Sequence, residues 1–305
     1  MPGPLIQNNI PIEVYLKSLE DVVMNAAKEI PSQISKLYTV KTTDKLYSDV
    51  QSFAGIRPFS SWNGNGQVIT AQAISPRFKT RITQAFFATA VSYSWVNKKF
   101  LKYDLLNTQA HQLVVQAANT KEMLAFSLVN TGFTTDFIDG VKIFSATHPL
   151  ANGSVDSNLI TGPISHTTVR NGITRVRKIK DDQGICMHLK PIRMWVPVGK
   201  EGDAWEVLRS VGRSDTANRA DNWLASNWKS IEIEGCDSLT SDTSWGFQTN
   251  YTQVSGNPGL VYETSVELEQ KQYELNGSED TVHQAIFGIG YGMRDWRELV
   301  FSTGS

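Results

Sequence analysis

The sequence lacks most of what would serve chemistry, a membrane or a covalent framework. Its 305 residues contain only two cysteines, Cys186 and Cys236. These form neither a CxxC pair nor a metal-ligand spacing, so a disulfide scaffold is excluded and two reduced, buried thiols are expected. Nowhere do about eighteen apolar residues run together, so no membrane-spanning helix is expected. The opening Met1-Pro2-Gly3-Pro4-Leu5-Ile6-Gln7 has neither the basic residues nor the apolar run of a secretory leader. A soluble protein of a reducing compartment is the expectation. An excess of one charge is also missing. With 29 basic and 30 acidic residues the net charge is -1, without the clustered Lys and Arg of a nucleic-acid binder.

Catalytic patterns are equally scarce. The histidines are His111, His148, His166, His188 and His283, and none falls in an HxxxH or HxH spacing. No GxSxG elbow occurs. Gly288-Ile289-Gly290-Tyr291-Gly292 lacks the GxGxxG spacing and lies in a strand pattern rather than before a helix, so it is no phosphate loop. The acidic pairs Asp181-Asp182 and Glu232/Glu234 read as solvated faces. No catalytic residue, cofactor or metal ligand is therefore assigned. One remote alternative is a hydrolase using His148 with a carboxylate such as Asp139.

What is present is a globular composition, 40% hydrophobic and 19% charged, enough for one elaborate domain or two intimate ones. Residues 1–12 read as an extended arm and 13–30 as a helix stopped by Pro31. A connector follows over 32–50. From Phe53 to Trp95 the chain turns β-rich, with Asn63-Gly64-Asn65-Gly66 as a strong turn signal. Pro58 and Pro76 keep these strands at an edge or projecting from the body. A projecting ribbon cannot bury Phe53, Phe59, Trp62, Phe78, Phe86 and Phe87 by itself, so a partner surface is expected, with Phe53, Phe59, Trp62 and Phe78 as the contacts to a neighbouring chain.

A long helix is predicted over 104–131. Leu106, Ala110, Leu113, Ala117, Leu124 and Leu128 form its stripe, Asp104 its cap and Gly132 its C′ residue. At ~1.5 Å per residue it is a rod of roughly 40 Å, with Leu113 and Leu124 facing the core. Next comes Asp139-Gly140-Val141-Lys142-Ile143-Phe144-Ser145-Ala146-Thr147-His148-Pro149-Leu150. It is read as a structural turn, with Phe144 and Leu150 as apolar anchors and Pro149 fixing the exit direction. His148 then bonds locally or across a subunit boundary. A helix at 165–181, a strand at 187–198 and a short helix at 201–211 follow. Residues 212–260 are rich in loops and strands. A half-buried strand pattern over 261–291 is turned at Asn276-Gly277-Ser278.

Three motifs carry a resemblance. They are Gly140 with Ile143-Phe144-Ser145, His148-Pro149-Leu150 and Ser157-Asn158; Asp295-Trp296-Arg297; and Ser52-Phe53-Ala54-Gly55-Ile56-Arg57-Pro58. In this order, around the long helix and spanning 52–297, they resemble the tailed-bacteriophage major capsid proteins, in particular the Mu-like major head subunits. The sequence departs from that family in having Ala151-Asn152-Gly153 in place of a double glycine, and in lacking two arginines in the long helix.

The resemblance implies the α+β Hong Kong 97 capsid fold. Its parts would be an N-terminal arm (1–45), an extended β-ribbon loop (46–98), and a peripheral domain (99–189) with the spine helix at 104–131. An axial domain would take 190–305, with the strand at 261–291 returning through the peripheral domain. It implies hexamers and pentamers in an icosahedral shell that encloses double-stranded DNA without sequence-specific binding, no membrane, and assembly in the host cytoplasm. Implied partners are a portal, a separate scaffolding protein, since the arm leaves little room for one, and a decoration or cement protein. The alternative within the fold is an encapsulin-like compartment with protein cargo.

Overall fold

The computed structural model describes residues 32–53, 55–66, 68–73, 76–96, 103–212, 220–275, 277–278 and 280–305, without the side chains of 103–107, 109 and 110. The helix expected at 13–30 and most of the arm lie outside these residues. The chain divides into two compact units. One holds 85–124 and 264–289 together with 1–33. The other holds 34–84, 125–263 and 290–305.

The second unit is built on a five-stranded sheet of order β7-β13-β10-β8-β9. Its strands are β7 (Leu159–Ile160), β8 (Pro191–Pro197), β9 (Glu232–Cys236), β10 (Trp245–Thr249) and β13 (Leu299–Ser302). Strand β10 runs antiparallel to β13 and β8, while β7 and β9 lie parallel to their neighbours. Met194, Trp195, Val196, Trp245, Phe247, Val300 and Phe301 are all buried, as near-continuous apolar runs covered on both faces require. Helix α3 (His166–Arg177) packs Val169, Ile173 and Val176 inward and starts with a Ser165/Thr168 capping box. Its Gly172 permits close approach to the sheet, since a Cβ there would lie 2.8 Å from Phe247 and 2.9 Å from Ile160. Helix α4 (Glu201–Arg209) matches its predicted place.

The β-rich run from 53 to 95 differs from its expectation. Strand β2 (Tyr47–Phe53) pairs antiparallel with β3 (Pro76–Thr83), forming a two-stranded ribbon. Strand β4 (Ala85–Tyr93) leaves it to pair with β12 (Thr281–Met293). The break falls at Gln84, which is buried and donates to Glu263 Oε2 at 3.2 Å. Residues 55–66 and 68–73 between the ribbon strands have no regular strand structure, so this part of the expected β-rich run is open loop.

Strands β1 (Thr39–Thr42), β11 (Leu260–Glu274), β12 and β4 form a four-stranded sheet in the order β1-β11-β12-β4. Strands β11 and β12 are joined by a turn in which Gly277 has φ 94°, the left-handed value that favours glycine. The glycines of β12 serve close approach. A Cβ at Gly288 would meet Phe86 at 2.8 Å, and one at Gly290 would meet Gln84 at 2.5 Å.

The long helix, α2, spans Tyr103–Asn130. Asp104 therefore lies in its first turn, where a carboxylate still suits the helix dipole, and is not its cap. Leu113, Val114 and Ala117 are buried as expected. Further on, Ala125, Phe126 and Val129 take the core positions, while Leu124 and Leu128 are half-buried. The register shifts because Phe126 inserts edge-on against Trp195, centroids 5.4 Å apart. Gly132 is no left-handed C′ residue. It is needed because a Cβ there would lie 2.4 Å from the Phe144 ring. Cys236 is buried, whereas Cys186 is exposed, a correction to the expected pair of buried thiols. Cys186 forms an isolated antiparallel bridge with Lys180.

Candidate functional site

The turn after α2 is organised by its backbone first. Asp139 Oδ1 accepts from Val141 N–H at 3.2 Å, and Gly140 takes φ 84°, so the Asp-Gly pair closes a tight turn. Ile143 and Phe144 then donate N–H bonds to Thr135 O and Gly132 O, at 3.1 and 2.9 Å. This lays the segment against the helix exit. Phe144 is buried there, stacked on Phe301 at 4.8 Å and tilted against Phe133 at 5.0 Å. Leu150 is buried and Pro149 is half-buried.

His148 lies at the start of β5 (His148–Pro149), paired with β6 (Val155–Asp156). It is 0% exposed. Nδ1 is 2.7 Å from Asp139 Oδ2, and Nε2 is 3.0 Å from Asn158 Oδ1. The imidazole stacks flat on Trp296, centroids 4.4 Å apart and planes 5° apart. Asn158 is the hub. Its Oδ1 accepts from Ser145 N–H at 2.8 Å, and its amide donates to the carbonyls of Ile143, Trp296 and Leu299.

The three motifs that are far apart in sequence meet here. Asp295 caps the 3₁₀ turn Trp296–Glu298. Arg297 bonds Asp295 at 2.9 Å, Asp182 at 3.0 Å and Lys180 O at 2.8 Å. Burial opposes its charge, but Asp295 and Asp182 overcome that and raise its affinity for the proton. From the base of the ribbon, Arg77 reaches the same Asp182 at 2.5 Å and Pro149 O at 3.3 Å. Gln183 donates to Gly55 O at 3.1 Å. A cavity of about 20 Å³, with room for about one water, is lined by Ser52, Arg77, Phe137, Asp139, Asp182 and Trp296, among others. Nearby, Arg175 bonds Asp156 and donates to Ser157 O at 2.6 Å.

Asp182 was read from the sequence as part of a solvated pair. Instead its carboxylate is 14% exposed and holds two arginines. Glu234 is likewise largely covered and bound by Lys36 at 2.8 Å. Among residues the motifs did not single out, Arg77, Asp182 and Glu298 matter most. No spacing signal announces them, because their partners lie 105, 115 and 46 positions away.

The ribbon and its loop present the opposite picture. Phe53 and Trp62 are 55% and 58% exposed, and Phe59 is fully exposed. Ile56, Val68 and Ile69 are exposed as well. Phe78 is half-buried beneath the Arg77 guanidinium, 4.6 Å from its ring centroid.

The chain has a Hong Kong 97-like α+β fold, which its likeness to solved phage capsid structures shows. No protein-family model and no curated protein sequence matches the chain. Solved structures do. The capsid of the cyanophage P-SCSP1u aligns with a TM-score of 0.58 at 12% identity, over 87% of this chain and 86% of that one. A structure of Microbacterium phage Oxtober96 gives 0.57 at 9% identity, over 90% of each chain. A virus-like particle from Pyrococcus furiosus gives 0.55 at 9% identity, over 94% of this chain and 98% of that one.

Proposed function

We propose that this chain is the major capsid subunit of a tailed phage. Copies assemble as hexamers and pentamers into an icosahedral shell around double-stranded DNA, and the chain resides in the virion. The carrying observation is the apolar loop between β2 and β3, with Phe59, Trp62, Val68 and Ile69 exposed. It stands on a fold shared with capsid subunits. Exposed apolar surface on this scale marks an interaction site. The net charge of -1 suits a wall that encloses DNA without gripping it.

In this reading residues 1–45 are the arm, 46–98 the extended loop, 99–189 the peripheral domain and 190–305 the axial domain, with 261–291 returning through the peripheral domain. Phe53, Phe59, Trp62 and Phe78 contact the neighbouring subunit. A portal, a separate scaffolding protein and a decoration protein are the further partners, and the likeness to Mu-like head subunits rests on the three motifs. The subunit is a structural protein, and His148 braces the turn. A buried ring with both nitrogens bonded to side chains offers no atom to a substrate.

The test is electron microscopy of the purified protein, with and without residues 60–67. Wild-type shells, and folded subunits that fail to assemble after the deletion, are expected. Normal shells from the deletion variant would remove the loop's role. Particles that carry a protein cargo and no DNA when isolated from the native source would favour the encapsulin-like compartment.

A further inference from the structure

Whole-chain neutrality conceals a local excess. Helix α3 (His166–Arg177) and its cap residue Lys178 carry Arg170, Arg175, Arg177 and Lys178, and no acidic residue stands between His166 and Lys180. Arg175 is spent inside the chain, on Asp156 and on Ser157 O. Arg170, Arg177 and Lys178 are exposed and enter no ion pair among the described residues. The carboxylates that follow are already engaged. Asp181 accepts from the N–H groups of Gln183 and Ile185 at 2.9 and 2.8 Å, and Asp182 holds Arg77 and Arg297.

These cations share one face. At about 100° per residue, the exposed Thr167, Arg170, Asn171, Thr174, Arg177 and Lys178 fall within about 120° of one another, away from the buried Val169 and Val176. Arg170 and Arg177 are two turns apart, about 10 Å. That is close to the screening length of ~8–10 Å at ordinary salt, so their fields add. The Arg177 guanidinium also lies over the Trp228 ring, 5.9 Å from its centroid, which restricts where it can go.

We infer that this face of α3 is a contact surface for the phosphate backbone of double-stranded DNA, on the inner wall of the shell. The inference rests on the shell reading, which supplies the DNA. A protein partner fits the face less well. Protein interfaces need apolar or aromatic anchors at a centre poor in charge, and no large apolar side chain between His166 and Lys178 is exposed. Arginine, lysine, threonine and asparagine are the residues that meet phosphates, and such contacts carry no sequence information. Three cations per subunit give a weak, salt-sensitive hold, which suits DNA that must later leave.

Titration of the unassembled full chain with a duplex of arbitrary sequence, over a range of salt concentrations, tests this. Arg170→Gln/Arg177→Gln/Lys178→Gln should bind more weakly. Its slope of log affinity against log salt should be shallower by about 2–3, since each lost phosphate contact removes ~0.9. Lys41→Gln/Lys45→Gln/Lys271→Gln removes as much charge from lysines exposed elsewhere and should keep a slope near wild type. No loss in the first variant, or equal losses in both, overturns the inference. So does preference for a poly-glutamate peptide over the duplex, which would make the face a site for an acidic protein. Thermal melts of the three proteins should coincide, because the substituted side chains are exposed. If the first variant melts early, Arg170→Gln and Arg177→Gln singly take its place, each expected to lower the slope by ~0.9. Micrographs of the wild type keep the two readings apart. Particles without duplex binding by the subunit count against this inference alone, and binding through this face without particles counts against the shell alone.

Discussion

The loop between β2 and β3 and the knot of His148, Asp182, Trp296 and Arg297 at the ribbon's base follow opposite rules. The loop holds Phe59 and Trp62 in the open. The knot buries a histidine, and nearly buries Arg297 and Asp182, which are 6% and 14% exposed. In an isolated chain both would count as errors, since apolar groups belong inside and charges outside. The knot resolves its side of this internally, because every charged group has a named partner within the chain. The loop leaves its rings largely in solvent. One region is complete in a single subunit, and for the other we propose a neighbouring subunit.

The sharpest way to break this comparison is to hollow out the knot. Phe144 is buried between Gly132, Phe133 and Phe301. Phe144→Ala should cost about 3–5 kcal/mol, read as a lower denaturation midpoint with unchanged slope. His148→Gln, which keeps much of the size and a donor, should cost less. The reverse order would mean that the polar centre, and not the aromatic packing, carries the turn.

Glu298 gives a second test, by pH. It is buried, and burial raises its carboxyl to about 7 from 4.5, against the bonds from Thr252 that lower it. The folded state thus prefers the protonated form. The associated stability is complete below about pH 4.5 and is lost as pH rises through about 7, by on the order of 3 kcal/mol. Glu298→Gln should remove this dependence and make the protein more stable than wild type above pH ~7. Parallel pH profiles for the two proteins would show that Glu298 is ionised in the fold.

How far the sequence foretold these regions follows from the range of the interactions. Local order was legible. The helix starting at 165, the Asp139-Gly140 turn and the aromatic surplus of the ribbon all depend on neighbouring residues. The strand change at Gln84 was not legible, because it is decided by Glu263, 179 positions away. The knot itself was legible only as three separate motifs. Nothing in their spacing says that His148 stacks on Trp296 or that Arg77 and Arg297 share Asp182. Gly132 was noticed for the wrong reason, as a helix terminator, when the Phe144 ring is what excludes a side chain. Gly132→Ala checks that reading. It should cost roughly 1–3 kcal/mol by overpacking, and the double variant with Phe144→Leu should recover part of the loss. No recovery would return the glycine to a backbone role.

The smallest effect on the subunit should come from the loop. Trp62→Ser and Phe59→Ser remove rings that are already largely in solvent, so each should change the unfolding free energy by no more than about 0.5 kcal/mol. If the loop is an interface, each ring buried against a neighbour contributes about 1.5–3 kcal/mol by area, repeated at every contact in the shell. The pair should therefore leave melting of the unassembled subunit unchanged while raising the concentration at which particles form. Calorimetry and light scattering on the same preparation separate the two. A variant that melts early would mean the rings pack within their own chain. A variant that melts and assembles like wild type would leave the exposed aromatics without a partner, and the contrast between loop and knot would then be one of exposure alone.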